Sequence, residues 1–382
     1  MQHLFIVIDG IGYDQIERFQ PSGLIERGKR TGLVPLTTLL TYSSGIYPSI
    51  WSGQYPDQHL VWTEFFRRPA PRRAVTGPLG LLPGKYLLRK AAYVALAVLK
   101  RLGMEQPEYA AIPPQVQSCF DRVQSQYWNL PPVPMPAVPL ISQKIERSGQ
   151  TWEYVFCEAL DQRAERRIHD TAARVDTLLV CFPDMDKAGH ELGPMSAAFG
   201  EAFHAFDARL ARLIAELEQR WPDTVTFLCS DHGMTTVTRQ FDAWSYLEQR
   251  GFRLGHEYLA FINSTIISLW FDNGHRDEIS HALNQSGYGR VLSPDEHASY
   301  HLDFPDRRYG DRFFVADEGV ELIPNFISLA NQANYGMHGY DPACSSTRAF
   351  FIGGKQVDVQ PSDVVDLYDV LTEAAVMADC LV

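Results

Sequence analysis

Several features are missing from this chain, and each absence narrows its class. The apolar run at 91–99 has nine residues, short of the roughly 20 needed to span a bilayer. None of the six cysteines (Cys119, Cys157, Cys181, Cys229, Cys344, Cys380) forms a CxxC pair. Cys181 and Cys229 end strand-like runs and read as small buried hydrophobes, so nothing calls for an oxidising compartment. There is no internal repeat and no long low-complexity tract. Basic excess is also lacking: the formal charge is −12, which argues against general nucleic-acid or duplex binding. No basic region and cleavable apolar stretch precede the first strand, and the expectation is a cytoplasmic protein.

What remains is a large core-forming chain of 382 residues, 45% hydrophobic, enough for one catalytic body with additions. Strand patterns fall at 4–8, 152–157, 177–182, 224–229 and 348–352. Helix patterns fall at 45–53, 159–174, 196–219 and 362–379, the long ones with apolar spacing of three or four. This alternation predicts an α/β fold, a doubly wound and mostly parallel sheet flanked by helices. Residues 255–335 hold short extended runs and turn signals such as Asp272-Asn273-Gly274 and Tyr309-Gly310-Asp311, predicting a small β-containing subdomain.

Four anchors carry candidate chemistry. His3 to Ile8 read as a buried strand that delivers Asp9 and then Gly10-Ile11-Gly12. A dinucleotide-binding turn competes there, but the third glycine of that pattern is missing; a helix cap by Asp9 is the plainer alternative. The strand 177–182 leads to Asp184-Met185-Asp186 and His190, and Asp186 and His190 stand four apart, one helical turn. Oxygen and nitrogen ligands of this kind suit zinc, or manganese in a carboxylate-rich setting. Asp184 lacks that spacing and reads as a residue behind the ligands, orienting one of them. A third strand runs into Ser230-Asp231-His232-Gly233-Met234, and the fourth anchor is His338 between Gly336 and Gly339. Adjacent Asp and His are commonly a surface turn, and a glycine-flanked histidine is weak evidence by itself. The four together, at strand ends, are strong, because open α/β sheets build sites at the carboxyl ends of their strands.

These residues resemble the alkaline phosphatase superfamily, most closely its nucleotide pyrophosphatase/phosphodiesterase-like (type I phosphodiesterase) branch. The family's Thr-Gly-x-Tyr-Pro appears as Ser52-Gly53-Gln54-Tyr55-Pro56, and ten residues before Gly53, where the family has its nucleophile, stands Ser43. Asp-x-x-x-His is matched by Asp186 to His190, followed by Gly193-Pro194. Ser-Asp-His-Gly-Met is matched at 230–234, and Gly-x-His-Gly-Tyr at 336–340. The resemblance covers 1–66 and 136–382 and implies a discontinuous catalytic domain interrupted by an insert at 67–135. It implies two divalent metals, zinc by default. Asp9, Ser43, Asp231 and His232 would hold one; Asp186, His190 and His338 would hold the other. It further implies hydrolysis of phosphodiester or pyrophosphate bonds in a small phosphate ester, through a phosphoserine at Ser43.

The chain departs from that branch at Ser43-Ser44-Gly45-Ile46, where relatives carry Thr-Phe-Pro-Asn. The asparagine amide is gone, no arginine follows Ser43 as in the monoesterases, and the sulfatase Cys-x-Pro-x-Arg is missing. Backbone amides at the start of the following helix are the replacement donors. Ser44 is the competing hydroxyl. A phosphomonoesterase, a transferase to a lipid or glycan acceptor, and a non-catalytic binding protein are the alternatives.

From Arg67 to Met104 the insert has nine basic residues and no acidic one: Arg67, Arg68, Arg72, Arg73, Lys85, Arg89, Lys90, Lys100 and Arg101. Residues 86–101 read as a helix. One reading is a cap over the catalytic sheet with solvated basic ends; the other is contact with an anionic membrane surface or polyanion. Trp62, Phe65 and Phe66 are candidates for an apolar wall against a base or aglycone, with core packing the expected role of at least one.

Overall fold

A computed structural model describes residues 1–69, 111–123, 138, 140–272, 274–328 and 332–377. Its centre is a six-stranded sheet made of β1 (His3–Ile8), β2 (Leu33–Leu36), β3 (Trp152–Phe156), β4 (Thr177–Phe182), β5 (Val225–Cys229) and β6 (Ala349–Ile352). The spatial order is β2-β6-β5-β1-β4-β3. Strands β3, β4, β1 and β5 run parallel to one another, while β6 is antiparallel to both β5 and β2. The sheet is therefore mostly parallel, as the alternating pattern predicts.

Both faces of the sheet are covered at its centre, which is why the inner strands β1, β4, β5 and β6 are largely apolar rather than alternating with polar residues. Phe5 and Val7 of β1 point to one face with Leu179, Cys181, Phe227 and Cys229; there they meet Ile46, Ile50 and Trp51 of helix α1 (Ser43–Ser52). Leu4, Ile6 and Ile8 point to the other face, where α2 (Gln162–Ala172) and α4 (Ala197–Arg220) lie. Between them in the chain, α3 (Asp184–Leu192) follows β4 directly. Helix α4 packs through Phe199, Phe203, Phe206, Leu210, Leu213 and Leu217, a stripe spaced by three and four. Its first turn is capped by Ser196, whose hydroxyl accepts from the Phe199 amide. At the C-terminal end of the chain, α5 (Leu367–Met377) packs beside α1.

Within 255–335 a four-stranded antiparallel sheet forms from Leu259–Ile262, Ile266–Trp270, Arg312–Ala316 and Gly289–Val291, in that spatial order. Its core also takes in Trp62, Phe65, Ile112, Val116 and Phe120. Phe65–Arg67 pairs antiparallel with Phe120–Arg122, so the described part of the expected 67–135 insert packs into this core. Arg67 pairs with Asp272 and Arg68 with Asp121. The basic helix expected at 86–101, with Arg72, Arg73, Lys85, Arg89, Lys90, Lys100 and Arg101, lies outside the described residues.

The aromatic wall expected from Trp62 and Phe65 does not exist. Trp62 is 0% and Phe65 4% exposed, the first stacked edge-on against Phe313 and the second face-on against Phe261. Trp62 donates its indole hydrogen to the Leu40 carbonyl at 2.7 Å. An amphipathic ring with a backbone acceptor inside the protein gains more from packing there than from waiting at a mouth.

Candidate metal centre

Three neighbouring parallel strands end at the same edge, and each supplies part of the site. Asp9 follows β1, and its amide donates to the Phe182 carbonyl at the end of β4 at 3.0 Å. Asp186 lies in the first turn of α3. Asp231 and His232 follow β5. Gly10 makes the crowding at this edge feasible: it sits at φ +72°, and a Cβ there would stand 2.5 Å from the Asp186 Cα. His338 arrives on a loop held by Thr265, whose hydroxyl lies 3.1 and 2.9 Å from the carbonyl oxygens of His338 and Gly339.

The structure brings together all seven residues singled out in the sequence. The His232 Nε2 lies 3.4 Å from Asp9 Oδ1, 3.3 Å from Asp231 Oδ2 and 3.1 Å from Ser43 Oγ. A second focus is Asp186 Oδ1, 3.3 Å from His190 Nε2 and 3.6 Å from His338 Nε2. The rings of His232 and His338 stack at 3.8 Å and join the two groups. Donor atoms cluster as Asp9, Asp231 and His232 on one side and as Asp186, His232 and His338 on the other. His232 stands between the two groups, whereas the sequence resemblance gave it wholly to the first.

Ring orientation leaves nitrogens free to coordinate. His190 donates from Nδ1 to the Gly336 carbonyl at 2.8 Å, and His232 from Nδ1 to the Gly233 carbonyl at 2.8 Å. A carbonyl only accepts, so both rings carry a hydrogen on Nδ1 and turn Nε2 toward the carboxylates, the nitrogen that would bind a cation once unprotonated.

The carboxylates themselves are electrically unfinished. Asp9 Oδ1, Asp231 Oδ2 and Asp186 Oδ1 are buried without a hydrogen-bond partner, and these are the oxygens that face the imidazole nitrogens. Burial, then the neighbouring Asp231 and Asp186, push the Asp9 carboxyl well above its usual range. Burial and Asp186 lift Asp231 to about 7. At Asp186 burial also acts upward, but His190, His338 and His232 outweigh it and hold the group low. His190 is raised to about 9, burial opposing and Asp186 prevailing. Three carboxylates with unpartnered oxygens, crowded among imidazoles, are costly as they stand. Divalent cations are the groups that complete such a donor set, with oxygen and nitrogen ligands suited to zinc-like ions.

Ser43 opens α1, and its Oγ faces His232; Ser44, next in the helix, is 1% exposed with its hydroxyl unpartnered. Asp184 does not orient a ligand. Its carboxylate accepts from the Leu160 amide at 3.1 and 3.3 Å, tying the loop before α2 to the start of α3. Two residues that the sequence reading left out of the site touch it. Tyr42 packs edge-on against His338 and is bonded to Thr265, a contact with no local signal. Tyr47 donates to Asp9 Oδ2 at 3.1 Å, and its position one turn after Ser43 was the available clue.

An alkaline phosphatase-like sheet with an Asp/His cluster at its strand ends defines the class. The chain belongs to the type I phosphodiesterase/nucleotide pyrophosphatase family, whose model matches residues 106–341. Human ectonucleotide pyrophosphatase/phosphodiesterase family member 5 is 27% identical over 209 residues, 50% of this chain and 41% of the relative. The bovine family member 3 is 25% identical over 218 residues, 53% of this chain and 24% of the relative. The matches thus span less than half of those relatives' length. Among solved structures, an inactive variant of the murine member 5 in complex with AMP superposes with a TM-score of 0.68 at 18% identity, covering 98% of this chain and 95% of that one. Phosphonoacetate hydrolase from Sinorhizobium meliloti 1021, in complex with phosphonoformate, gives 0.64 at 13% identity, covering 98% and 96%. At these identities the superpositions establish the fold.

Proposed function

We propose that the chain is a metal-dependent hydrolase of phosphodiester or pyrophosphate bonds in small phosphate esters, with Ser43 as nucleophile and two divalent ions, zinc by default. The observation that carries this reading is the Ser43 Oγ, 3.1 Å from His232 Nε2 at the edge of a buried cluster with unpartnered carboxylate oxygens. Asp9, Ser43, Asp231 and His232 would hold one ion, and Asp186, His190 and His338 the other, with His232 beside both. When bound, the ions supply positive charge that makes a serine alkoxide accessible and neutralises phosphoryl oxygens.

Ser43 opens α1, where the Gly45 and Ile46 amides turn back to the Tyr42 carbonyl and the Ser43 and Ser44 amides are the first of the helix. Those amides stand in for the missing asparagine as donors to a phosphoryl oxygen. The Ser43 oxygen forms a bond to phosphorus as the bond to the leaving alcohol breaks; water then cleaves the phosphoserine and restores the hydroxyl. Nucleotide esters are sensible first substrates, since the murine relative was captured with AMP. The zinc-loaded protein is expected to turn over bis-p-nitrophenyl phosphate faster than p-nitrophenyl phosphate. A preference for the monoester would move the protein to the phosphatases.

The same proposal places the protein in the cytoplasm, a setting that suits the free thiols of Cys119, Cys157, Cys181, Cys229 and Cys344. Recovery of the native protein from a secreted fraction would overturn that placement.

A further inference from the structure

A short polar chain runs under Asp9, inside an otherwise apolar face of the sheet. Tyr47, 3% exposed, reaches from α1 to the edge of the sheet. Its hydroxyl lies 3.1 Å from Asp9 Oδ2 and 3.1 Å from the Cys181 sulfur on β4. With a cation bound, Asp9 is an ionised carboxylate that only accepts hydrogen bonds, and a phenol has one hydrogen to give. The Tyr47 hydrogen therefore goes to Asp9, and the thiol hydrogen of Cys181 goes to the Tyr47 oxygen. Trp51 stacks against the Tyr47 ring with 28° between planes and restricts its swing. The two oxygens of Asp9 consequently differ: Oδ2 is committed to Tyr47, while Oδ1 has no partner and faces His232.

We propose that Tyr47, backed by the Cys181 thiol, is a positioning residue: it fixes Asp9 so that Oδ1 is presented to the cation held with Asp231 and His232. This rests on the metal reading above. Its physical content is that a buried carboxylate left free to rotate would exchange its two oxygens at the ion and lose alignment, whereas an outer hydrogen bond locks one arrangement. Because Tyr47 shares α1 with Ser43, one turn away, the helix that sets the nucleophile also sets a metal ligand.

The test is Tyr47→Phe, which keeps the ring and deletes the hydroxyl. Zinc affinity is read by competition with a chromophoric chelator, and ligand geometry by the visible absorption of the cobalt-loaded protein. The expected result is one zinc site weakened by about 10–100-fold with shifted cobalt bands, in a metal-free protein that still unfolds cooperatively. In an Asp9→Asn background, Tyr47→Phe should add no further loss. A folded Tyr47→Phe with zinc affinity within about twofold of wild type and an unchanged cobalt spectrum would overturn the assignment. Should that variant fail to fold, Cys181→Ala carries the test: a smaller loss in the same direction supports the chain, and unchanged affinity overturns it. Wild type that binds neither zinc nor cobalt would instead refute the metal reading itself.

Discussion

His59 gives the protein an acid-sensitive joint behind the helix that carries Ser43. The residue is 3% exposed and ends the short helix Pro56–His59. Its Nδ1 accepts from the Val61 amide at 3.2 Å, so the ring hydrogen sits on Nε2, which donates to Ser49 Oγ at 2.8 Å; Ser49 in turn donates to the Gly45 carbonyl at 3.2 Å. Every partner is satisfied by a neutral ring. A second proton would set an N–H against the Val61 N–H in a buried site, and burial accordingly pushes the pKa from 6.5 down to about 3. Between those values the unfolded chain binds a proton that the folded chain refuses. Stability is then complete above pH 6.5 and falls as pH drops through the window, at about 1.4 kcal/mol per pH unit. From pH 7.5 to pH 5 the loss from this one ring is about 2 kcal/mol. His59→Gln retains a donor toward Ser49 and removes the titration, at a cost of about 1 kcal/mol for the lost Val61 bond. Urea unfolding of the metal-free proteins across pH 5–7.5 should show the wild-type advantage shrinking by about 2 kcal/mol toward the acid end. The other titrating groups are common to both proteins and cancel. A stability difference independent of pH would refute the reasoning.

Two further outcomes test the site and its frame. Chelation should lower the unfolding temperature, and added zinc at about 100 times its dissociation constant should restore about 2.7 kcal/mol per site; a midpoint indifferent to metal would contradict the fit of the donor set. Gly10→Ala should cost about 2 kcal/mol or more, since a Cβ at φ +72° is strained and would meet the Asp186 backbone at 2.5 Å; zinc titration of the variant should show one site lost, and retention of both would contradict the close approach.

The site was legible where a ligand rides on the end of a strand. The apolar runs before Asp9, Asp186 and Asp231 declare both the strand and the point where it stops, and parallel pairing in register then puts those ends side by side. The antiparallel setting of β6 against β5 was not legible, because nothing local in Ala349–Ile352 encodes direction. Neither was the role of Cys181, which reads as a small apolar filler in its strand; its partner Tyr47 is 134 residues away in the chain. Trp62 and Phe65 were ambiguous for a related reason. Aromatic residues near a nucleophile suit a substrate wall and a core equally well by composition, and the antiparallel sheet that buries them is formed almost 200 residues later. Asp184 shows the limit of spacing: it is a carboxylate at a strand end, yet the nearest donor is the Leu160 amide.

The most direct measurement is turnover of bis-p-nitrophenyl phosphate by zinc-loaded wild type and Ser43→Ala, with bound zinc counted in both. If Ser43 is the nucleophile, the variant keeps most of its metal and loses activity by roughly three orders of magnitude or more. Activity that survives in a metal-loaded Ser43→Ala would contradict the account and transfer the attack to Ser44 or to water.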